Sequence, residues 1–269
     1  MYIIGKKRVD FMESQNKKMY ALQSVDKAIQ ILYLFSEQEP EFNLTEISRR
    51  MGMSNPVALK YLNTLEYRGF LERDRKTKRY TLGLAIVALS GTVRRNNAVN
   101  QAAYPVMKEL AQGVDESIYL QVPVLSSHEA VIIGMVETNK SITSRFSRSC
   151  KLYAGASRKV LLAYLGEDYI QHFLECVKME PYTEDTNIEP GKLKAELEKI
   201  RQNGYAVSYG ETIEDACGIA SPIFDADGIA ASLMIYLPAY RLTETVLASH
   251  LKQLLDASKK ISKLLGGLE

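Results

Sequence analysis

Five basic side chains crowd into a short segment of this chain, between two strand-like runs. They are Arg73, Arg75, Lys76, Lys78 and Arg79. Guanidinium and ammonium groups at this density can neutralise closely spaced phosphates. The segment from Leu71 to Leu82 therefore indicates a basic hairpin that contacts a polyanion, and a solvated surface hairpin is the alternative interpretation. We expect Tyr80 and Leu82 to anchor the returning strand.

A second polar set lies just before this hairpin, in a segment with helical periodicity from Asn55 to about Arg68. At about 100° per residue, Ala58, Leu62 and Leu65 share one face and are expected to pack inward. The other side carries groups that can reach base edges or phosphates. These residues are Lys60, Asn63, Thr64 and Tyr67. An ordinary surface helix is the alternative interpretation of this segment.

The neighbouring segments complete a recognisable order of elements. A short amphipathic stretch, Leu44 to Met51, precedes the turn pair Gly52-Met53. Pro56 fits the first helical position of the next helix, which favours Asn55 as its N-cap. Helix, tight turn, helix and basic hairpin predict a winged helix-turn-helix at residues 24–82, which fits one helix into the major groove of DNA. The residues expected to contact double-stranded DNA are Thr45, Asn55, Pro56, Lys60, Asn63, Thr64, Arg73, Arg75, Lys76, Lys78 and Arg79.

Composition and charge bound the class of protein. The 269 residues suffice for two domains, and 46% hydrophobic with 25% charged residues is ordinary for a globular protein. Residues 1–82 carry 15 Lys and Arg against 10 Asp and Glu, while the rest carries 19 against 22. The asymmetry suggests a polyanionic partner for the first part only. The sequence contains no apolar run of about 18 residues, so a membrane span is not expected. Three scattered cysteines favour a reducing cytoplasm.

The remaining segments set the expected domain organisation. Residues 1–23 are polar and aperiodic and are expected to form a mobile tail. An opening helix follows, with Ser24 as its expected N-cap. Its inward face is expected to carry Val25, Ala28, Ile29, Leu32 and Phe35. Residues 83–97 are expected to form a linker helix. Residues 98–269 mix helices with strands that include a hairpin around Asp225–Gly228, so the fold class predicted for this part is an α+β sensor-type domain.

Several motifs in this order resemble those of the IclR family of bacterial transcriptional regulators. The opening helix, the helix-turn-helix and the end of the wing each resemble family segments. So do the small-residue start of a helix in the larger domain and a second signature near the last strands. The segments are 24–32, 44–52, 58–65, 80–83, 154–163, 203–207 and 218–228. The resemblance implies a GAF-like effector domain at 98–269, assembly as a homodimer or homotetramer, a small organic acid effector, and regulation of catabolic genes.

The resemblance also implies the location of the effector site. The Gly155-Ala156 step is expected to offer N–H groups to an anion, which the N-terminus of a helix favours, although tight packing alone would also explain two small residues. A family Cys position matches Gly218, with Cys217 beside it, two family Ser positions match Met234 and Tyr236, and an acidic position matches Glu211 or Glu214. We expect these residues to line the effector site. Fewer hydroxyl groups than is usual in the family suggest a larger or partly aromatic carboxylate. Met234 and Tyr236 acting only as core residues is the alternative.

An enzyme and a metal-sensing regulator are the rival functions. His128, His172 and His250 are far apart in sequence and lack the spacing of metal ligands, so each is expected to be a surface or cap residue. The cysteines Cys150, Cys176 and Cys217 lack a nucleophile signature. No phosphate-binding or dinucleotide-binding motif occurs. We therefore expect no catalytic residue, no metal ligand and no cofactor.

Overall fold

A computed structural model describes residues 22–36, 39–137, 140 and 149–267. These residues fall into two compact units that divide between Asn96 and Asn97. The tail expected at residues 1–23 lies almost entirely outside the described residues. Within the described residues, no helix is both long and apolar enough to cross a membrane.

The smaller unit contains the predicted helices and the predicted hairpin. Its elements are α1 (Gln23–Leu32), α2 (Leu44–Arg50), α3 (Asn55–Tyr67), β1 (Leu71–Arg73), β2 (Tyr80–Leu82) and α4 (Ala85–Asn96). The inward face of α3 is confirmed, because Ala58, Leu62 and Leu65 are buried. Leu62 and Leu65 join one core with residues of α1, α2 and the hairpin. Tyr80 is fully buried in this core and pairs with Phe42 in an isolated bridge.

Local expectations for this unit were wrong at four points. The N-cap of α1 is Leu22 instead of Ser24, and that of α3 is Ser54 instead of Asn55. Ser54 takes the extended conformation, and Pro56 is tolerated in the first turn because N–H groups there have no helical acceptor. On α1 the fully buried residue is Ile31, while Val25 and Ile29 are half exposed. Leu82 is 42% exposed, so Tyr80 and not Leu82 anchors the returning strand.

The larger unit is a six-stranded antiparallel sheet with helices on both faces. Its elements are α5 (Ala98–Val114), β3 (Ser117–Val124), β4 (Glu129–Val136), β5 (Ser149–Lys151), α6 (Ala156–Ala163), α7 (Glu167–Cys176), α8 (Pro190–Asn203), β6 (Ala206–Tyr209), β7 (Ala216–Asp225), β8 (Gly228–Pro238) and α9 (Glu244–Leu264). The strand order is β5-β4-β3-β8-β7-β6. The α+β class and the β7–β8 hairpin are confirmed, whereas β5 was not predicted. Three residues are too few for a period to be recognised in the sequence.

Two hydrophobic cores lie on the two faces of this sheet. One contains residues of α6, α7 and α8 together with Met234 and Tyr236 of β8. The other contains residues of α5 and α9 together with Ile235 and Leu237 of the same strand. Alternation along a strand sends successive side chains to opposite faces, so register decides which residues line each core.

Candidate nucleic-acid interface and effector site

The exposed face of α3 carries the polar groups that the sequence indicated. Lys60, Asn63 and Thr64 are exposed, while Leu62 beneath them is fully buried. The Thr64 hydroxyl donates to the Lys60 carbonyl at 2.9 Å, so it is satisfied within the helix. The polar terminal groups of Lys60 and Asn63 lie on the exposed side of the helix. They are therefore the residues of α3 best suited to reach bases and phosphates.

The helix before it is held at its N-terminus by a capping box. The Glu46 N–H donates to Asn43 Oδ1 at 3.0 Å, and the Asn43 N–H donates to Glu46 Oε2 at 2.7 Å. These bonds satisfy N–H groups that a helix start leaves without partners. Thr45 is exposed in this first turn, and Gly52 at φ +61° forms the turn that leads towards α3.

The tip of the wing is shaped by an acidic residue. Asp74 Oδ1 accepts the backbone N–H groups of Lys76 and Thr77, both at 2.7 Å. These backbone bonds, that from Thr77 first, lower the pKa of Asp74. Arg75, Lys76 and Lys78 are exposed around the turn. Asp74 therefore holds a basic loop in a defined shape.

Two arginines of the wing are engaged inside the unit. Arg73 lies over the ring of Tyr80, 5.2 Å from its centroid. Arg79 Nη2 donates to the Glu41 carbonyl at 3.0 Å and lies 3.3 Å from Glu46 Oε2. Its Nε lies 2.7 Å from Glu41 Oε1, at ion-pair distance but without hydrogen-bond alignment. The sequence placed Arg79 among the phosphate contacts, and the structure gives its guanidinium a structural role.

The candidate effector site begins at the N-terminus of α6. Gly155 is the N-cap and has φ +85°, a conformation that L side chains rarely adopt. A Cβ there would lie 3.1 Å from Arg158 Nη1 and 3.4 Å from Thr212 Cγ2. The backbone conformation therefore favours glycine at this position, and an added Cβ would also press on the Arg158 side chain.

The two N–H groups expected to receive an anion already have protein acceptors. Gly155 N–H donates to Glu211 Oε2 at 2.8 Å, and Ala156 N–H donates to Ser208 Oγ at 3.0 Å. Glu211 Oε1 in turn lies 2.5 Å from Lys159 Nζ. A carboxylate thus occupies the position expected for an anion, but it belongs to the protein. Of the two acidic candidates, Glu211 is at the site and Glu214 is exposed.

Two neighbouring residues that the sequence grouped together lie on opposite faces of the sheet. A Cβ on Gly218 would lie 3.2 Å from Met234 Sδ, 3.3 Å from Ser208 Oγ and 3.6 Å from Ala156 Cβ, so Gly218 faces α6. Cys217 instead packs in the opposite core, with residues of α5 and α9. Burial raises the pKa of its thiol to about 11. Its expected place in the effector site was wrong, because adjacent residues of a strand point to opposite faces.

The other two expected strand residues do lie on the α6 face. Met234 and Tyr236 belong to the core that includes Ala156, and both are almost fully buried. The ring of Tyr236 meets that of Tyr119 edge to face, with centroids 5.9 Å apart. Burial raises the pKa of the Tyr236 phenol above its usual range. A neutral aromatic surface therefore flanks the N-terminus of α6.

Two buried cations of α6 were not predicted from the sequence. Arg158 is 1% exposed and donates to the Ala154 carbonyl at 3.3 Å. Burial lowers its pKa, while Cys150, Tyr182, Tyr236 and Glu211 exert smaller electrostatic effects that raise it. Lys159 is 5% exposed. Two adjacent cations inside an otherwise apolar helix were the available signal in the sequence.

The structure also brings together side chains that are distant in sequence. The rings of His128 and His172 lie 5.6 Å apart, and His172 Nδ1 lies 3.6 Å from Cys176 Sγ. His128 Nδ1 is 2.9 Å from the Tyr169 hydroxyl. Although these histidines are neighbours, no group of three or more His, Cys, Asp or Glu among the described residues could hold a metal ion.

Comparisons with known proteins match both units of the chain. The family described as "Bacterial transcriptional regulator IclR C-terminal" matches residues 92–263, and "IclR helix-turn-helix domain" matches residues 24–75. Among curated proteins, the transcriptional regulator XynR of Escherichia coli is 30% identical over 92% of this chain and 99% of its own length. The regulator KdgR of the same organism is 31% identical over 93% of this chain and 95% of its own length.

Solved structures give the same result for the fold. The crystal structure of the Thermotoga maritima IclR protein superposes with a TM-score of 0.65 at 30% identity, covering 91% of this chain and all of that one. A regulator structure from Alicyclobacillus acidocaldarius has a TM-score of 0.79 at 25% identity and covers 92% of this chain. Sequence and fold therefore agree along nearly the whole chain.

Proposed function

Since this chain belongs to the IclR family of bacterial transcriptional regulators, we propose that it controls catabolic genes in response to a small organic acid. Its relatives are DNA-binding regulators, so the chain is a transcriptional regulator and not an enzyme. The operator, the effector and the oligomeric state are the parts that we propose. The location that we propose is the cytoplasm, where a regulator of bacterial genes meets its DNA.

The observation that carries the DNA proposal is the exposed polar face of α3 beside a basic wing tip. Lys60 and Asn63 extend from a helix whose opposite face is buried, and Arg75, Lys76 and Lys78 are exposed around the turn fixed by Asp74. In our proposal Asn63 reads base edges, while the wing residues contact phosphates. Asn55, Pro56 and Thr45 contribute from the first turns of their helices.

One such unit makes few base contacts, so we propose two half-sites bound by a homodimer or a dimer of dimers. Support comes from α4 and the residue just before it, where apolar side chains are exposed. They are Leu84, Val87, Leu89 and Val93. Apolar residues along one exposed helix are typical of an interface with a second copy.

The effector proposal rests on the charge and shape around the start of α6. The buried cations Arg158 and Lys159 and the N–H of Gly155 favour a carboxylate. Gly218 lets β7 lie close to Met234 and Ala156 beside the start of α6, and the ring of Tyr236 supplies an apolar wall. We propose an organic acid with a partly apolar or aromatic body, whose binding changes the affinity for DNA. Coupling of this kind is reciprocal between the two ligands.

Fluorescence anisotropy with labelled upstream DNA tests both parts. We expect tight binding, and the logarithm of the association constant should fall linearly with the logarithm of the salt concentration. The magnitude of this slope should be lower by about 2 for the variant Arg75→Gln/Lys78→Gln. Benzoate, pyruvate and other carboxylates are then added to the complex. A flat salt response would contradict specific phosphate contact, and no effect of any carboxylate would contradict the effector class.

A further inference from the structure

We propose that Glu211 is a built-in competitor for the effector's carboxylate, and that Lys159 is the cation for which the two compete. This inference rests on the proposed organic-acid site and adds how that site excludes simple acids. The relevant relationship joins three groups from two distant segments of the chain, Gly155 and Lys159 on α6 and Glu211 beyond β6.

The carboxylate of Glu211 is bound as a ligand carboxylate would be. One oxygen accepts the Gly155 N–H at 2.8 Å, and the other lies 2.5 Å from Lys159 Nζ. The side chains of Glu211 and Lys159 are 11% and 6% exposed, so both charges are largely removed from water. A charge-assisted bond of this kind is stronger than a neutral one. An incoming carboxylate therefore has to replace Glu211 to gain the same two donors.

In this exchange the Glu211 side chain moves while its backbone stays in place. The Thr186 hydroxyl donates to the Glu211 carbonyl at 2.7 Å, which holds the main chain in place. A cavity of about 300 Å³ opens beside the side chain and is lined by Lys159, Glu196, Lys199 and Glu211. Lys199 would offer a new cationic neighbour to a displaced carboxylate.

Lys159 also keeps a partner when Glu211 leaves. Its Nζ lies 2.9 Å from Glu196 Oε2, on the side of the cavity. A buried ammonium left alone would be costly, and this second carboxylate prevents that outcome during exchange. The exchange therefore conserves the charge at these two donors, because one carboxylate replaces another on Gly155 and Lys159.

Tethering gives Glu211 a high effective concentration at these donors. Groups linked by short segments compete at an effective concentration of about millimolar or more. Simple acids such as acetate gain only the two donors, so they cannot displace Glu211. An effector that also packs against Met234 and Tyr236 gains the additional free energy that exchange requires. Glu211 thereby selects acids with a substantial body.

Chemical rescue of the full-length variant Glu211→Ala tests the proposal. Sodium acetate, with acetamide as the uncharged isostere and sodium chloride for ionic strength, is added during thermal unfolding. Acetate at about tenfold its Kd should raise the midpoint of Glu211→Ala by about 3 °C, while wild type responds no more than to chloride. Glu196→Ala is the matched control, since it removes a carboxylate from Lys159 without vacating Gly155, and it should respond less than Glu211→Ala.

A second variant keeps the test decisive if Glu211→Ala does not fold. Glu211→Gln retains the shape of the side chain but offers no negative charge to Lys159. Acetate should therefore raise the unfolding midpoint of this variant more than it raises the midpoint of wild type. Equal acetate responses of wild type and the Glu211 variants would overturn the competition. If the acetate responses are equal but a carboxylate still alters DNA binding by wild type, the proposed effector function stands and only the competition by Glu211 is wrong. If acetate stabilises the Glu211 variants but no carboxylate alters DNA binding by wild type, the competition is supported and the proposed effector function is wrong.

Discussion

The guanidinium of Arg79, at the base of the wing, lies 3.3 Å from the Glu46 carboxylate that closes the capping box of α2. The same arginine donates to the Glu41 carbonyl at 3.0 Å. One side chain thus ties the hairpin to the start of the helix-turn-helix. The wing is held against the rest of the smaller unit by this contact as well as by burial of Tyr80.

We therefore expect Arg79→Ala to destabilise the smaller unit, whereas Arg75→Ala leaves it unchanged. Loss of partly exposed ion pairs and of a bond to a carbonyl should cost about 1 kcal/mol. Arg75 has an exposed side chain at the wing tip and is the matched control. Thermal unfolding measures the stability of both variants, and fluorescence anisotropy measures their binding to DNA. If both variants weakened DNA binding equally with unchanged stability, Arg79 would be a phosphate contact after all.

Asn63→Ala should relax sequence preference, and Lys60→Ala should weaken binding to every DNA alike. Both residues are exposed on α3, on either side of the buried Leu62. A side chain that reads a base edge provides about 1–3 kcal/mol of discrimination, whereas a phosphate contact provides none. Competition anisotropy with operator and scrambled DNA separates the two. Unchanged discrimination by Asn63→Ala would place base readout elsewhere.

Gly218→Ala and Cys217→Ala form a matched pair from adjacent positions on opposite faces of the sheet. The Cβ added at Gly218 would lie 3.2 Å from Met234 Sδ and 3.6 Å from Ala156 Cβ, so it would push these residues apart beside the proposed effector site. We expect at least about a tenfold loss of carboxylate affinity, about 1.4 kcal/mol. Cys217→Ala should lower stability by about 1–2 kcal/mol through lost packing and leave affinity unchanged. Calorimetry and thermal unfolding check both, and the reverse pattern would invalidate the assignment of faces.

His128 makes the stability of the larger unit depend on pH. Burial, and then the charge of His172, lowers the pKa of His128 below its usual 6.5. The unfolded chain therefore binds a proton at a higher pH than the folded chain does. Stability is complete above about pH 6.5 and falls as pH decreases towards the folded pKa.

His128→Asn should reduce this loss, because asparagine tolerates the φ of +58° found there and does not titrate. His250 is half-buried and burial lowers its pKa as well, so part of the dependence should remain. Unfolding midpoints at about pH 5.5 and pH 7.5 measure the difference. An identical pH response of the variant and wild type would exclude His128 as a source.

Local patterns in the sequence determined the elements of this protein. The period of Ala58, Leu62 and Leu65 predicted which face of α3 is buried, and the structure confirms it. The turn Asp225–Gly228 likewise predicted the β7–β8 hairpin. Such features depend on neighbours a few residues away, which is why they can be recognised without coordinates.

Tertiary structure alone decided what the site residues contact. Gly155 and Glu211 are 56 residues apart, and no local pattern indicates that a carboxylate from beyond β6 reaches the start of α6. The packing of β7 decided that Gly218, and not the adjacent Cys217, faces α6, and Arg79 met Glu46 across 33 residues. Partners across such separations depend on how whole elements pack, because the periodicity of one segment carries no information about which distant segment faces it.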